Sequence, residues 1–470
     1  MRLSSYIDKL KASLHRAPRV GFVGMGISNS ALLGEAAGCP LTVRVSTEAS
    51  LTELPEGTRV LRGKAALSDI DEDIIIFSPS ARRDVPELLA AKERGAIFLS
   101  DAELYFLDHG ELTYAVSGSD GKSTTATLTR ELLKERHPET ELIGNIGVPF
   151  AEAREGSRAV AELSSFQLTY MQPRVRSAIL TPITENHLDW HTDLDEYIEA
   201  KLNLFTNAMR RVSTPDSPIS ARILGDIGCD AIYSASYSYT ELKRLYKADT
   251  YITLEGDFIA VNGEILLPVS DISRKEPHNI HNLMGAIAVT LGECTREHIA
   301  EVAHGFRGLE HRIEHIGSAF GVDFINSSID TTPTRTASTL AALARPVRVI
   351  LGGRGKHLDL LPCIEPMKSY ATRISLYGEA ADEYYPVLNK CGITDRIECA
   401  RFNRFAEAIE HATCGICEGF APVIRGGATE AVLLSPAATG YGEFRNFAER
   451  GRYFKQYIKE KYKTQLCERK

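Results

Sequence analysis

The segment Ser117-Gly118-Ser119-Asp120-Gly121-Lys122-Ser123-Thr124 has the residue types of a loop that holds phosphate. Thr113–Val116 ahead of it predicts a short buried strand, and Ala126–Leu133 behind it predicts a helix. A glycine loop in that setting turns backbone N–H groups and the positive end of a helix toward an anion. Lys122 adds a charge that can reach outer phosphate oxygens, and the Ser123 hydroxyl suits Mg²⁺. The spacing is not the long Gly-x-x-x-x-Gly-Lys form, because Val116 stands where its first glycine belongs. The shorter Gly-x-x-Gly-Lys-Ser-Thr is present instead.

Further polar sets follow other predicted strands. Glu162, in Glu162-Leu-Ser-Ser-Phe-Gln167, closes the strand Ala159–Glu162, a common place for a Mg²⁺ ligand. His187 and Asp189 follow the strand Ser177–Thr181 and suit a metal or a substrate phosphate. Lys201 lies on the predicted helix Leu194–Lys201 and, taken alone, reads as a solvated surface lysine. Asn279 and Asn282 are three apart, hence on one helical face, and fit an adenine edge, a phosphate or a helix cap. Arg312 offers a charge for a transferring phosphoryl group or for a surface ion pair. Lys356 follows Gly352-Gly353 at a strand end and suits an anion or a plain turn. Near the N-terminus, Gly24-x-Gly26 hints at a dinucleotide turn. Asn29 replaces the third glycine and Ser46 stands where an acid would take a ribose, so a nicotinamide site is poorly supported.

The elements that must position these residues fall into three blocks of alternating strand and helix, expected to form parallel sheets. The first block has strands at Arg19–Val23, Leu41–Val45 and Asp73–Phe77 and a helix at Ser30–Ala37. The second begins near His109, and its Ser213–Leu267 stretch, rich in Tyr, Ser and Gly, is expected to be a less regular periphery. The third begins near Leu309, with strands at Val322–Ile325, Val347–Leu351, Ile374–Tyr377 and Ala431–Leu434 and a closing charged helix over Phe444–Lys463. A chain of 470 residues exceeds one ordinary core, so the expected domains are 1–108, 109–308 and 309–470. A hydrophobic fraction of 43% and a charged fraction of 25% fit a soluble globular protein. The net charge of −8 argues against nucleic-acid and membrane partners. The N-terminus lacks an apolar signal region, and nine scattered cysteines fit a reducing cytoplasm, with Cys414-x-x-Cys417 incidental.

Taken in order, these motifs resemble the Mur ligase family: Gly118 to Thr124, Gly144-Asn145-Ile-Gly147, Glu162 to Gln167, His187-Leu-Asp189 with Lys201, His278-Asn279 with Asn282, His311-Arg312, Gly352-Gly353 with Lys356, and Leu434-Ser-Pro-Ala437. The resemblance runs from Gly24 to about Phe454. Asn145-Ile-Gly147 and Glu162 to Gln167 are similar to the D-glutamate-adding members, whereas the related folylpolyglutamate synthetases share the phosphate loop and the lysine but not these segments.

The resemblance implies an α/β protein of three domains: an N-terminal Rossmann-like domain for a UDP-linked substrate, a central P-loop ATPase domain with a parallel sheet, and a C-terminal Rossmann-like domain for an amino acid. It implies a monomer that uses ATP and Mg²⁺ to join D-glutamate to UDP-N-acetylmuramoyl-L-alanine through an acyl phosphate, in peptidoglycan precursor synthesis. The same chemistry with L-glutamate or another amino acid is the alternative. By resemblance, Gly118, Ser119, Asp120, Gly121, Lys122, Ser123, Thr124, Asn279, Asn282 and Arg312 bind ATP. Ser123, Glu162, His187 and a carbamylated Lys201 serve the metals, and Lys122, His187, Lys201 and Arg312 carry the catalysis. Ile27, Ser28 and Thr47 lie near the uridine phosphates, Asn145, Ser164 and Gln167 along the muramoyl group, and Thr331, Lys356 and Phe447 in the glutamate pocket. Glu48, Ser80, Asn186, Ser327, Ile329 and Gly440 depart from residues found in other members. At Gly440 some members place a serine against the distal carboxylate.

Overall fold

The computed structural model describes every residue except 1, 48–50, 52, 53, 189, 356, 357, 441 and 468–470, and of Ile27 only the backbone. The expected roles of Asp189 and Lys356, and the departure at Glu48, therefore lie outside the described residues. The chain forms two compact units, Met1–Phe306 and Arg307–Lys470.

The first unit opens with an all-parallel five-stranded sheet in the order Arg59–Arg62, Leu41–Val45, Val20–Val23, Ile74–Phe77 and Ile97–Leu99. Ile74–Phe77 is buried along its whole length, as a strand covered on both faces must be. The turn after Val20–Val23 places Gly24 at φ +77, where a Cβ would lie 2.2 Å from the Ser78 hydroxyl oxygen. Asn29, in the place of a third glycine, is fully buried and donates from Nδ2 to the Gly24 carbonyl at 2.7 Å, tying the turn shut. The helix expected over Ser30–Ala37 begins earlier, as Ile27–Leu32, and tightens into a 3₁₀ turn over Leu33–Ala36.

The second sheet has nine strands. Its order is Glu264–Pro268, Phe258–Val261, Thr250–Glu255, Ala231–Ser234, Arg211–Ser213, Ser177–Leu180, Thr113–Ser117, Ala159–Glu162 and Glu141–Gly144. All neighbours are parallel except the hairpin pairs at the Glu264–Pro268 edge. This corrects the expectation for Ser213–Leu267. The stretch is regular: it holds the helices Pro218–Ile227 and Tyr239–Leu245 and supplies four strands that extend the sheet. Its Tyr and Thr residues are strand formers, and Tyr233 and Tyr251 are buried in it. Toward the Glu141–Gly144 edge, Val116 pairs with Glu162, and Ser117 pairs with Leu180. Three adjacent parallel strands thus end side by side, and the loops that leave them meet.

The second unit holds a six-stranded sheet in the order Glu314–Ala319, Val322–Asn326, Ala431–Leu434, Val347–Gly352, Ala371–Tyr377 and Glu398–Phe402, parallel except for the first pair. Its closing helix is Phe447–Lys461. The architecture is α/β with parallel sheets in every block. No helix among the described residues is long and apolar enough to cross a membrane.

Candidate active site

The phosphate loop leaves the strand Thr113–Ser117 and enters the helix Lys122–Leu133, which begins four residues before the expected Ala126. Gly121 caps that helix at φ +78. A Cβ on Gly121 would lie 2.1 Å from the Asn282 side-chain oxygen, and one on Gly118 would lie 1.9 Å from the Thr181 hydroxyl. Both glycines are therefore steric requirements as well as conformational ones. The loop is held from below. The Ser119 N–H donates to the Pro182 carbonyl at 2.9 Å, and the Ser119 hydroxyl meets the Tyr197 hydroxyl at 2.6 Å and the Thr184 carbonyl at 2.9 Å.

Two lysines converge on this loop. Lys122 Nζ donates to the carbonyls of Gly118 (2.9 Å) and Ser119 (2.8 Å), and Lys201 Nζ donates to the same Gly118 carbonyl at 2.7 Å. Lys201 is not the solvated residue that its helix suggested. It is only 2% exposed, with its Nζ 4.6 Å from the centre of the Tyr197 ring. Burial, reinforced by the charge of Lys122, holds its ammonium well below the ordinary lysine range.

Glu162 closes the neighbouring strand, is 5% exposed, and its Oε2 has no hydrogen-bond partner. A carboxyl oxygen buried without a donor is a group that a cation satisfies. Ser123 sits in the first helical turn, partly buried, and Thr124 is buried behind it. His187 is exposed at φ +57, a region few non-glycine residues adopt, and its ring packs 5.0 Å from that of Phe166. Among the described residues no group of three or more His, Cys, Asp and Glu side chains forms a metal cage by itself.

Sequence reasoning passed over three residues here. His191 is buried, bonds from Nε2 to the Ser165 hydroxyl at 2.9 Å, and is held below the usual histidine range chiefly by burial. Its spacing of four from His187 was the available signal. Trp190 donates from its indole nitrogen to the Ser80 carbonyl at 2.9 Å, beneath the Arg82 guanidinium at 4.6 Å. Arg82 in turn reaches Glu196 Oε1 at 2.9 Å, which links the first sheet's loop to the helix carrying Lys201.

Of the expected substrate residues, Ser164 and Gln167 form a reciprocal capping box on the helix Ser165–Leu168, a structural role the sequence did not single out. Asn145 is exposed, and its N–H donates to the Glu162 carbonyl at 3.0 Å, so the two segments lie together. Ser28 is partly buried and hydrogen-bonds the buried Asp101 carboxyl, which burial pushes above its usual range. Thr47 is exposed beside Gly63. On the helix Pro277–Thr290, Asn282 faces the phosphate loop and accepts from the Thr125 hydroxyl at 3.4 Å, while Asn279 donates to Glu276 at 3.0 Å.

In the second unit, Arg312 is exposed, and its neighbour His311 is buried at φ +64 and bonded through Nδ1 to the Asn326 amide at 2.9 Å. Thr331 and Phe447 are partly buried, Phe447 as the first residue of the closing helix. Gly440 is packed so tightly that a Cβ would lie 2.7 Å from the Asn446 carbonyl oxygen.

A family model described as the Mur ligase middle domain matches residues 116–290, the span of the phosphate loop, Glu162, Lys201 and the two asparagines. A UDP-N-acetylmuramoylalanine--D-glutamate ligase from Clostridium kluyveri is 32% identical over 464 residues, covering 95% of this chain and 97% of the relative. The chain belongs to the Mur ligase family. A second such ligase, from Acetivibrio thermocellus, is 31% identical and covers 97% of this chain and 98% of its own. The crystal structure of a UDP-N-acetylmuramate-alanine ligase from Thermotoga maritima shares the fold, with a TM-score of 0.51 at 17% identity, covering 95% of this chain and 99% of that one. Mur ligases are ATP-dependent.

Proposed function

We propose that this protein is the ATP-dependent ligase that joins D-glutamate to UDP-N-acetylmuramoyl-L-alanine in peptidoglycan precursor synthesis. One observation carries the reading: Lys122 and Lys201 meet at the Gly118 carbonyl beside the strand that ends in Glu162, whose Oε2 has no hydrogen-bond partner. That is a site built for polyphosphate and cations. The near-full-length similarity to relatives bearing the D-glutamate ligase name supports the choice of substrate.

The terminal alanine carboxylate of the nucleotide substrate attacks the γ-phosphorus of ATP, and ADP leaves. The amine of glutamate attacks the resulting acyl phosphate, phosphate departs, and the amine loses a proton. A carboxylate is a poor electrophile, and phosphorylation supplies the leaving group. Lys122 and the loop N–H groups, with Gly118, Ser119, Asp120, Gly121 and Thr124, hold the phosphates and stabilise charge in the transition state. Asn279 and Asn282 flank the adenine, and Arg312 serves the phosphoryl group. Ser123 and Glu162 would hold one Mg²⁺, and His187 with a carbamylated Lys201 a second. Bound there, Mg²⁺ would neutralise phosphate charge and polarise the group in transfer. The fit rests on the orphaned Glu162 oxygen and on the depressed Lys201 ammonium, whose neutral amine adds CO₂ and releases a proton to give an anion.

Ile27, Ser28, Thr47, Asn145, Ser164 and Gln167 would line the nucleotide substrate, and Thr331, Lys356 and Phe447 the amino acid. We also propose that 1–108, 109–308 and 309–470 act as three domains in a cytoplasmic monomer. Phosphate release from ATP, measured with UDP-N-acetylmuramoyl-L-alanine and a panel of amino acids, tests the assignment. Release dependent on D-glutamate is expected, and a preference for L-glutamate or another amino acid overturns it.

A further inference from the structure

Arg450 is 0% exposed, on the first turn of the helix Phe447–Lys461. Its Nε donates to the Ser328 hydroxyl at 2.9 Å and its Nη2 to the Ser328 carbonyl at 2.9 Å. Its Nη1 serves the Gly352 carbonyl (3.3 Å), the Ala438 carbonyl (3.1 Å) and the Tyr377 hydroxyl (3.2 Å). Ser328, Ala438 and Gly352 belong to the segments at the C-terminal ends of three adjacent parallel strands: Val322–Asn326, Ala431–Leu434 and Val347–Gly352. In an open α/β sheet that is where ligands bind.

The two glycines of Gly352-Gly353 are explained by the same arrangement. A Cβ on Gly353 would lie 2.1 Å from the Thr439 carbonyl oxygen and 3.0 Å from Arg450 Nη1, and one on Gly352 would lie 2.1 Å from the Tyr377 carbonyl oxygen. The Ser328 hydroxyl that accepts from Arg450 also donates to the Phe447 carbonyl at 2.7 Å. The guanidinium thus joins the segment leading to Thr331, the glycine turn and the start of the Phe447 helix. All five of these acceptors are carbonyls or hydroxyls. A buried guanidinium without a carboxylate among them leaves positive charge beneath the loops, which favours an anion above them.

We propose that Arg450 is the positioning residue of the amino-acid pocket: it fixes the three loops in register and biases the pocket toward a dicarboxylic amino acid. This rests on the reading that the amino acid binds at Thr331 and Phe447. Arg450 touches no substrate atom in this account, so its loss should move the KM for the amino acid and leave the nucleotide sites alone.

The test is steady-state phosphate release by Arg450→Met and Arg450→Lys, with thermal unfolding measured alongside. The KM for D-glutamate should rise about tenfold or more in Arg450→Met and less in Arg450→Lys, with the KM for ATP and for the nucleotide substrate changed by about twofold or less. Where Arg450→Met fails to fold, Ser328→Ala removes one acceptor of the same network and should show the same split in smaller measure. An unchanged KM for D-glutamate in folded variants, or an equal loss across all three substrates, overturns the proposal. Should the wild-type protein accept a different amino acid, the functional reading fails. The role of Arg450 is then judged on the same split for that amino acid.

Discussion

The ammonium groups of Lys122 and Lys201 both donate to the carbonyl oxygen of Gly118, at 2.9 and 2.7 Å. Burial first, and then repulsion by the Lys122 charge, make Lys201 yield its proton more readily. In the unfolded chain Lys201 titrates near the ordinary value of about 10.4. In the folded protein it does so at lower pH. Between those points the unfolded chain binds more protons, so stability rises with pH across the window and is lost as pH falls through the folded value. Lys201→Met should flatten that slope and, in CO₂-depleted buffer, stabilise the ligand-free protein by about 1 kcal/mol. Chemical unfolding as a function of pH reads both effects, and an unchanged slope contradicts the account.

The same residue should be indispensable in turnover. Lys201→Ala is expected to lose activity and to recover part of it with acetate or another small carboxylate, which replaces the anion of a carbamate. Full activity without added carboxylate would remove the case for modification.

Lys122→Ala should slow turnover by about 10²-fold or more while the protein stays folded, because its charge acts where phosphoryl charge develops. Single-turnover kinetics with saturating ATP separate this from weaker binding. Near-wild-type turnover in a folded variant would rule it out.

Gly121→Ala meets two obstacles, a left-handed backbone and a Cβ 2.1 Å from the Asn282 oxygen. The expected cost is about 1–3 kcal/mol of stability with loss of ATP binding. Adding Asn282→Ala should recover part of the stability and none of the binding, by thermal unfolding and calorimetric titration. Recovery of ATP affinity in the double variant would show that only the clash mattered.

Gly440 differs from the serine of some relatives, yet restoring the hydroxyl should not help. The new Cβ would press on Asn446, which caps the closing helix through its side chain. Gly440→Ser is expected to raise the KM for D-glutamate and to lower the unfolding temperature. A lower KM would mean that the loop gives way.

The phosphate loop and its flanking strand were legible because glycine, lysine and a strand–helix switch are local signals. Glu162 was legible as a strand end, but its missing hydrogen-bond partner depends on what packs around it. Lys201 was misplaced on solvent by helical periodicity alone; only the resemblance pointed inward, and the fold buries it under the loop. Ser213–Leu267 read as irregular because its short strands owe their stability to neighbours far away in sequence. Arg450 was invisible for a related reason. It sits in a helix whose charged composition reads as exposed, and nothing local tells one guanidinium that points inward from others that do not.

Trp190, the only tryptophan of the chain, stands between the Ser80 carbonyl and the Arg82 guanidinium, 4.5 Å from the ring of Phe166. The protein therefore carries one indole fluorophore, which can be excited apart from its tyrosines, at the seam between its first two sheets. Emission wavelength and quenching at that seam would report any shift of the Ser80 loop against the His187 turn, in unlabelled protein and in real time.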